Sequence, residues 1–198
     1  VAKVLPSIYG KRKINRGFEG LALSADEKTI YAVLQSPLLN PDRKIGDASR
    51  NTRVLVFDIA SEKVTAEYAY RFDVSKQFDP NPKNTPDEMK LSGVIAINPT
   101  TLLVLERTDL VAKLYSVDLS GATNILNSKW DDAQTAPSLE ALSDPSAAAV
   151  RTRSAADSTG EASRRESPDA DRGSDDPDAP SALRTLARRA FDLADRLG

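Results

Sequence analysis

Residues 18–34, FEGLALSADEKTIYAVL, consist of two short, mostly apolar runs joined by a polar turn. The runs cover residues 18–23 and 29–34, and the Ser, Asp and Lys between them are typical of a tight connection. Short runs of this kind on either side of a turn predict a β-hairpin. The sequence around it therefore has to be tested first for further strands and for repeats of the same unit.

A second copy of this hairpin follows at residues 91–105, LSGVIAINPTTLLVL, with a shorter turn at 98–100. Placing Ala22 on Ala96 aligns the two copies. Because the same strand-turn-strand pattern occurs twice, the sequence predicts an internal repeat.

The repeat continues into a third and a fourth strand. Residues 53–59, RVLVFDI, and 113–119, KLYSVDL, both end in an apolar-Asp-apolar step that aligns Asp58 with Asp118. Strands at 64–70 and 123–126 are expected next, each after a turn. The first copy also carries an insertion at 36–52.

Two four-stranded antiparallel meanders, with the start of a third unit after Trp130, predict an all-β chain that is a partial β-propeller. The alternative is a β-sandwich of two duplicated sheets. A propeller needs about four blades or more to close, so residues 1–150 are expected to form an incomplete domain. The predicted core residues are Leu21, Leu23, Tyr31, Val54, Val56, Ile95, Ile97, Leu103 and Val104.

The composition changes near residue 150. Residues 151–182 contain no Val, Ile, Leu, Met, Phe, Tyr or Trp, so we expect a disordered linker. Residues 183–197 have Leu and Ala at helical spacing, which predicts a short amphipathic helix. One explanation for the change is a shifted reading frame or a junction.

Composition also limits the chemistry. The chain has no cysteine and no histidine, which excludes disulfides, cysteine-bearing zinc sites and a Ser-His-Asp triad within these residues. The 27 basic and 29 acidic residues nearly balance, so nothing indicates nucleic-acid binding. No apolar run is long enough for a membrane span, and no signal region follows Val1.

Five blocks of sequence resemble the phytase-like family, also called "esterase-like activity of phytase". They are NRGFEGLALS at 15–24, YAVLQSPL at 31–38, RNTR at 50–53, LVLERTD at 103–109 and SKWDD at 128–132. The resemblance covers about residues 10–150 and implies a bacterial propeller of about six blades, periplasmic or secreted, with phosphatase- or esterase-like activity. Gly93 stands where the family has an acidic residue after Ser92, and the family's later blocks do not follow.

Glu19 is the first candidate for chemistry, because it is an acidic residue inside an apolar strand between Phe18 and Gly20. It resembles the Glu-Gly strands of gluconolactonase-like propellers, which implies an oxygen ligand for Ca²⁺. The alternative is a carboxylate paired with Arg16 or Arg53, since a buried carboxylate needs a partner.

Further candidates follow the apolar run that ends at Leu105. Glu106 and Asp109 are possible metal ligands, and Arg107 could bind a phosphate or a carboxylate through its guanidinium fork. Asn51 and Arg53 suggest the same oxyanion role. A salt bridge that fixes the loop is the alternative for the residues at 106–109.

We therefore expect a metal-assisted hydrolase of a phosphate ester or another small-molecule ester. The alternative is a non-catalytic propeller that binds a ligand or a protein through its loops. A fragment that does neither is the third possibility.

Overall fold

The computed structural model describes residues 4–81, 83–143 and, for the backbone, 151–154. Two four-stranded antiparallel sheets make up the fold, each with its strands in chain order. The first contains β1 (Phe18–Leu23), β2 (Thr29–Leu34), β3 (Asn51–Asp58) and β4 (Lys63–Arg71), and the second contains β5 (Lys90–Asn98), β6 (Thr101–Arg107), β7 (Ala112–Asp118) and β8 (Arg151–Ser154). The helices are α1 (Arg43–Ala48) and α2 (Ser75–Phe78), with 3-10 turns at Ser7–Lys11, Pro86–Glu88, Lys129–Asp131 and Leu139–Ala141. The structure confirms the predicted predominantly β fold, the first meander and the first three strands of the second meander.

The strand register confirms most of the repeat. Asp58 pairs with Thr29 and Asp118 pairs with Thr101, so the two aspartates occupy equivalent positions. The hairpins differ from the sequence alignment by one residue, because Ala22 and Ile95, not Ala96, are equivalent by register. β1 and β5 each contain a β-bulge just before the equivalent residues Gly20 and Gly93, which is a further match between the two hairpins.

The main core lies between the two sheets, where β1 runs beside β5. One face of each sheet supplies it, with Tyr31, Val33 and Val54 from the first sheet and Val104 and Val117 from the second. Gly20 stands where the sheets come closest, since a Cβ there would lie 2.5 Å from the Val33 Cγ2 atom and 3.1 Å from the Gly93 carbonyl carbon.

The predicted core was partly wrong. Tyr31, Val54 and Val104 are fully buried, and Val56 packs against the same core. Ile95 and Leu103 are only partly buried. Three residues are largely exposed: Leu21 (65%), Leu23 (49%) and Ile97 (51%). Leu21 and Leu23 alternate with Gly20 and Ala22, so their side chains point away from the second sheet.

The back of the first sheet has its own apolar cover. Ile8 and Tyr9, from the turn before β1, pack there against Ala32, Leu34 and Leu55.

The prediction of a strand at 123–126 was wrong. The Ile125 N–H donates to the Glu67 carbonyl oxygen (2.8 Å), so the backbone here bonds to edge strand β4 instead of β7. Residues 124–143, which we call the crossing segment, then pack on the first sheet through Ile125, Trp130 and Leu139 against Ala69. A third unit does not begin within residues 131–143, because the crossing segment forms 3-10 turns there.

The fourth strand of the second sheet is β8, whose residues pair with 115–118 of β7. It lies inside the stretch for which the sequence predicted a disordered linker. The remainder of that linker, residues 155–182, and the amphipathic helix predicted at 183–197 lie outside the described residues.

Candidate functional site

The two bulges place polar residues where β1 and β5 begin. Glu19 is the extra residue between Phe18 and Gly20, and Ser92 is the extra residue between Leu91 and Gly93. A bulge re-aims a side chain out of the regular alternation of a strand. Arg16, Glu19, Lys90, Ser92, Arg107 and Asp109 together form what we call the strand-start rim.

Hydrogen bonds fix the basic groups of this rim. The Arg107 Nε atom donates to Ser92 Oγ (2.8 Å), and the Arg107 Nη1 atom lies 3.4 Å from Asp109 Oδ1. The Lys90 Nζ atom donates to the same Asp109 oxygen at 2.8 Å. Arg16 donates through Nη1 to Ser36 Oγ (3.2 Å) and is anchored by Asp87. The rim therefore presents three cations held from different strands and loops.

Glu19 is exposed and sits within the field of these three cations. Partial burial raises the pKa of its carboxyl group, and the positive charges of Arg107, Lys90 and Arg16 oppose that rise. Among the described residues no ion pair joins Glu19 to Arg16 or to Arg53. Glu19 is thus a carboxylate near basic groups without a direct ion pair to Arg16 or Arg53. The sequence had suggested either a Ca²⁺ ligand or such an ion pair.

The three predicted metal ligands do not come together. Glu106 lies in the interior, 1% exposed, where it accepts from the Tyr70 hydroxyl (2.6 Å) and the Asp73 N–H (3.2 Å). Asp109 is paired with Lys90, and Glu19 is surrounded by cations. Within the described ranges no group of three acidic residues is placed to hold a metal ion. These residues do not fit the expected Ca²⁺ site.

Burial gives Glu106 unusual protonation behaviour. Desolvation raises its pKa to about 7, although hydrogen bonds from Tyr70 and Asp73 stabilise the charged form. It would be a good proton carrier at neutral pH, but its position excludes direct contact with a substrate.

Arg53 and Asn51 also lie in the interior. Arg53 is 0% exposed, and its Nη1 atom donates to Glu67 Oε1 (2.5 Å) while Nη2 donates to Glu140 Oε1 (3.1 Å). Asp131 Oδ1 is 3.5 Å from Nη1, and the Tyr9 hydroxyl donates to Glu67 Oε1 (3.1 Å). We call Tyr9, Arg53, Glu67, Asp131 and Glu140 the arginine cluster.

Asn51 holds the same region by its side chain. Its Nδ2 atom donates to the carbonyl oxygens of Leu139 and Leu142, both at 2.8 Å. The substrate-binding roles of Asn51 and Arg53 stay predictions, and their contacts favour a structural role in fastening the crossing segment.

Sequence reasoning missed several of these residues. Glu67 could have been found once β3 and β4 were paired, because Arg53 opposes Ala69 and the diagonal neighbour on the same face is Glu67. The role of Ser92 depends on the bulge, for which Gly93 is the only hint in the sequence. Glu140 has no local signal at all.

A cleft of about 170 Å³ adjoins the rim at Asp109. Asp79, Asn84, Glu88 and Thr108 contribute to its lining. Carboxylate, amide and hydroxyl groups of this kind suit hydroxyl-bearing molecules more than apolar ones.

Comparison with known proteins agrees with the resemblance seen in the sequence. An "uncharacterized secreted protein" of Arthroderma benhamiae is 41% identical over 59 residues, which are 29% of this chain and 12% of that protein. The matched part of the chain thus covers about an eighth of the length of this relative. No solved structure matches the chain.

Within the described residues, no helix has the length and apolar character that crossing a membrane requires.

A family model described as phytase-like, "esterase-like activity of phytase", matches residues 2–156. That match includes both sheets, the rim and the arginine cluster, and the chain accordingly belongs to the phytase-like family.

Proposed function

We propose that the chain is part of a phytase-like hydrolase and that the strand-start rim binds the anionic group of an ester, a phosphate ester in the first place. The observation that carries this proposal is the placement of Arg16, Lys90 and Arg107 around the exposed Glu19. The rim carries three cations and two carboxylates, Glu19 and Asp109, so its net charge is positive and attracts an anion.

Arg107 is the best-prepared ligand for an oxyanion. Its Nε atom is committed to Ser92, so the guanidinium plane is fixed while the side chain stays partly exposed. A fixed guanidinium loses little conformational entropy when it binds two phosphate oxygens. Asp109 is 70% exposed at its side chain and can leave Lys90 and Arg107 when a stronger anion arrives.

Glu19 would supply the proton transfer. A carboxylate with a raised pKa can accept a proton from a water molecule that attacks the phosphorus atom. The ester P–O bond then breaks, and the leaving alkoxide takes a proton from solvent. This reaction takes no step through a metal ion, since the described carboxylates do not fit the Ca²⁺ site that the resemblance implied.

We also infer that the two sheets act as neighbouring blades of a propeller that further chain would complete. The apolar side chains of Ile95, Leu103 and Leu105 on the outer face of the second sheet support this inference. The equivalent positions of the first sheet, Ala22, Tyr31 and Val33, pack on the second sheet. A secreted location is proposed on the description of the Arthroderma benhamiae relative as a secreted protein.

The second candidate is a binding module without hydrolysis. It is favoured by the burial of Glu67 and Glu106, the two carboxyl groups whose pKa of about 7 suits proton transfer at neutral pH. Neither group reaches the rim. On this alternative the rim binds an anion and releases it unchanged.

Titration with inorganic phosphate by calorimetry tests the proposal. We expect binding by the full chain, at least a tenfold loss in Arg107→Gln, and no change in the control Lys63→Gln, an exposed lysine at the start of β4. Release of nitrophenol from nitrophenyl phosphate then separates the two candidates. Hydrolysis by the wild type that is lost in Glu19→Gln supports the enzyme, whereas phosphate binding without hydrolysis supports the binding module. Absence of phosphate binding would remove the rim as the site.

A further inference from the structure

A cluster of charged groups helps to fasten the crossing segment to the first sheet, beside the apolar contacts of the segment with Ala69. Arg53 from β3 and Glu67 from β4 face it, Tyr9 approaches from the turn before β1, and the segment itself supplies Asp131 and Glu140. These are the titratable groups in contact at this place. One guanidinium is therefore shared by three carboxyl groups.

Three carboxyl oxygens of the arginine cluster have no hydrogen-bond donor. Glu67 Oε2, Glu140 Oε2 and Asp131 Oδ1 are all buried without a hydrogen-bond partner. Glu67 Oε1 and Asp131 Oδ1 lie 2.5 Å and 3.5 Å from the same nitrogen, Arg53 Nη1, so these two carboxyl groups are neighbours. Two ionised carboxylates in contact repel, whereas a single proton between them gives both oxygens a partner.

Glu67, like Glu140, is a buried carboxyl group with a raised pKa, and it is the one that lies beside Asp131. Its pKa is raised to about 7, first by burial and further by the nearby Asp131, although Arg53 opposes the rise. Glu67 lies on the rigid sheet, whereas Asp131 lies on the crossing segment. A change of charge at Glu67 can therefore be relieved only by moving the crossing segment.

We propose that the crossing segment is a pH-sensitive latch, closed on the first sheet while Glu67 carries a proton and released when Glu67 loses it. Loss of the proton leaves three carboxylates on the single cation Arg53 in the interior. Asp131, whose side chain is 13% exposed while those of Glu67 and Glu140 are fully buried, then moves toward solvent, and the crossing segment loosens around it. This goes beyond the proposed function, because the arginine cluster shares no residue with the strand-start rim.

The other attachments contain no carboxyl group and confine the motion to the part of the segment around Asp131. The Ile125 N–H donates to the Glu67 carbonyl oxygen, Asn124 bonds to the backbone of Thr65 and Glu67, and Arg71 Nη2 donates to the Ser143 carbonyl oxygen. Asn51 holds the carbonyl oxygens of Leu139 and Leu142, and the Ser138 hydroxyl donates to the Asn40 carbonyl oxygen (2.8 Å). Asn127 binds Asp131 within the segment and does not fasten it to the sheet.

The direction of the pH effect follows from the raised pKa. A group whose pKa is higher in the folded state stabilises that state fully below its unfolded pKa, here near 4.5. The stabilisation is lost as the pH rises through about 7. The latch is thus closed in mildly acidic medium and open in alkaline medium.

Trp130 provides a reporter at the site, because it is the only tryptophan in the chain and its carbonyl oxygen accepts from Arg53 Nη2 (3.0 Å). We expect its emission to shift to longer wavelength as the pH of the full chain is raised from about 5 to about 9, with a midpoint near the pKa of Glu67. Amide hydrogen exchange should increase over the same range in residues 124–143 and not in β2.

Two variants make the test specific. Glu67→Gln has no proton to lose, so the transition should vanish. Glu106→Gln is the matched control, since it removes the other buried carboxyl group with a pKa of about 7 and should leave the transition in place. Far-ultraviolet circular dichroism checks that each variant is folded.

Should Glu67→Gln fail to fold, Asp131→Asn replaces it. Removing the Asp131 charge lowers the pKa of Glu67, so the midpoint should move to lower pH. The latch is refuted if wild-type exchange in residues 124–143 does not change with pH, or if the transition persists unaltered in Glu67→Gln or in Asp131→Asn.

Discussion

The arginine cluster and the strand-start rim combine the same chemical groups in opposite environments. In the cluster, Arg53 and its carboxylate partner Glu67 are withdrawn from solvent. In the rim, Arg107 and Asp109 lie at the surface, with Asp109 largely exposed. The environment, more than the residue types, decides what such a pair can do.

Burial makes the cluster structural and leaves the rim available to ligands. A buried guanidinium that loses its carboxylates is a charge in a medium that solvates it poorly, and so is a buried carboxylate that loses its guanidinium. Surface pairs are screened by water and exchange partners easily. The rim can therefore release Asp109 for an incoming anion, whereas the cluster cannot release Arg53 without disturbing the fold.

The largest effect is expected for Arg53→Met. This change leaves Glu67 and Glu140 buried without a cation, which costs about 3–5 kcal/mol of the free energy of unfolding. Urea unfolding followed by circular dichroism measures it. The double variant Arg53→Met with Glu67→Leu should recover part of the loss, because it removes one of the stranded carboxylates. A loss below about 1 kcal/mol in the single variant would contradict the structural role.

An intermediate effect is expected for the pH dependence carried by Glu106. Its pKa of about 7 exceeds the ordinary value of 4.5, so Glu106 stabilises the folded state fully below about pH 4.5 and loses that contribution as the pH rises through about 7. In Glu106→Gln the difference in unfolding free energy between pH 5 and pH 8 should shrink by about 1–3 kcal/mol. Urea unfolding at both values measures it, and an unchanged difference would show that Glu106 is ionised in the fold.

The local parts of the fold could be predicted from the sequence. The hairpins, the repeat and the equivalence of Asp58 and Asp118 depend on alternation and turn residues within short windows. The orientation of Leu21 and Leu23 could not be predicted, because alternation defines two faces and only the second sheet decides which one is buried.

The site was harder to predict for the same reason. Arg107 was singled out by residue type and its oxyanion role stays a prediction, whereas its support by Ser92 depends on a bulge that shifts the register by one residue. Arg53 was interpreted as a phosphate ligand because nothing near it in sequence indicates Glu140, a partner brought in by the crossing segment. Contacts across such separations come from tertiary packing alone.

The smallest effect on stability is expected for Asp109→Asn, and it tests the chemistry of the rim most directly. Asp109 accepts from Lys90 and lies near Arg107, yet its side chain is mostly in water, so the change should alter the unfolding free energy by less than about 1 kcal/mol. Removal of its charge frees both cations, so affinity for inorganic phosphate should rise several-fold. If Asp109 were a Ca²⁺ ligand, as the sequence suggested, wild type would instead gain thermal stability with Ca²⁺ and the variant would not. Phosphate calorimetry and Ca²⁺-dependent melting of wild type and Asp109→Asn, with Lys63→Gln as control, decide between the two. Weaker phosphate binding in Asp109→Asn would contradict the view that Asp109 competes with the anion.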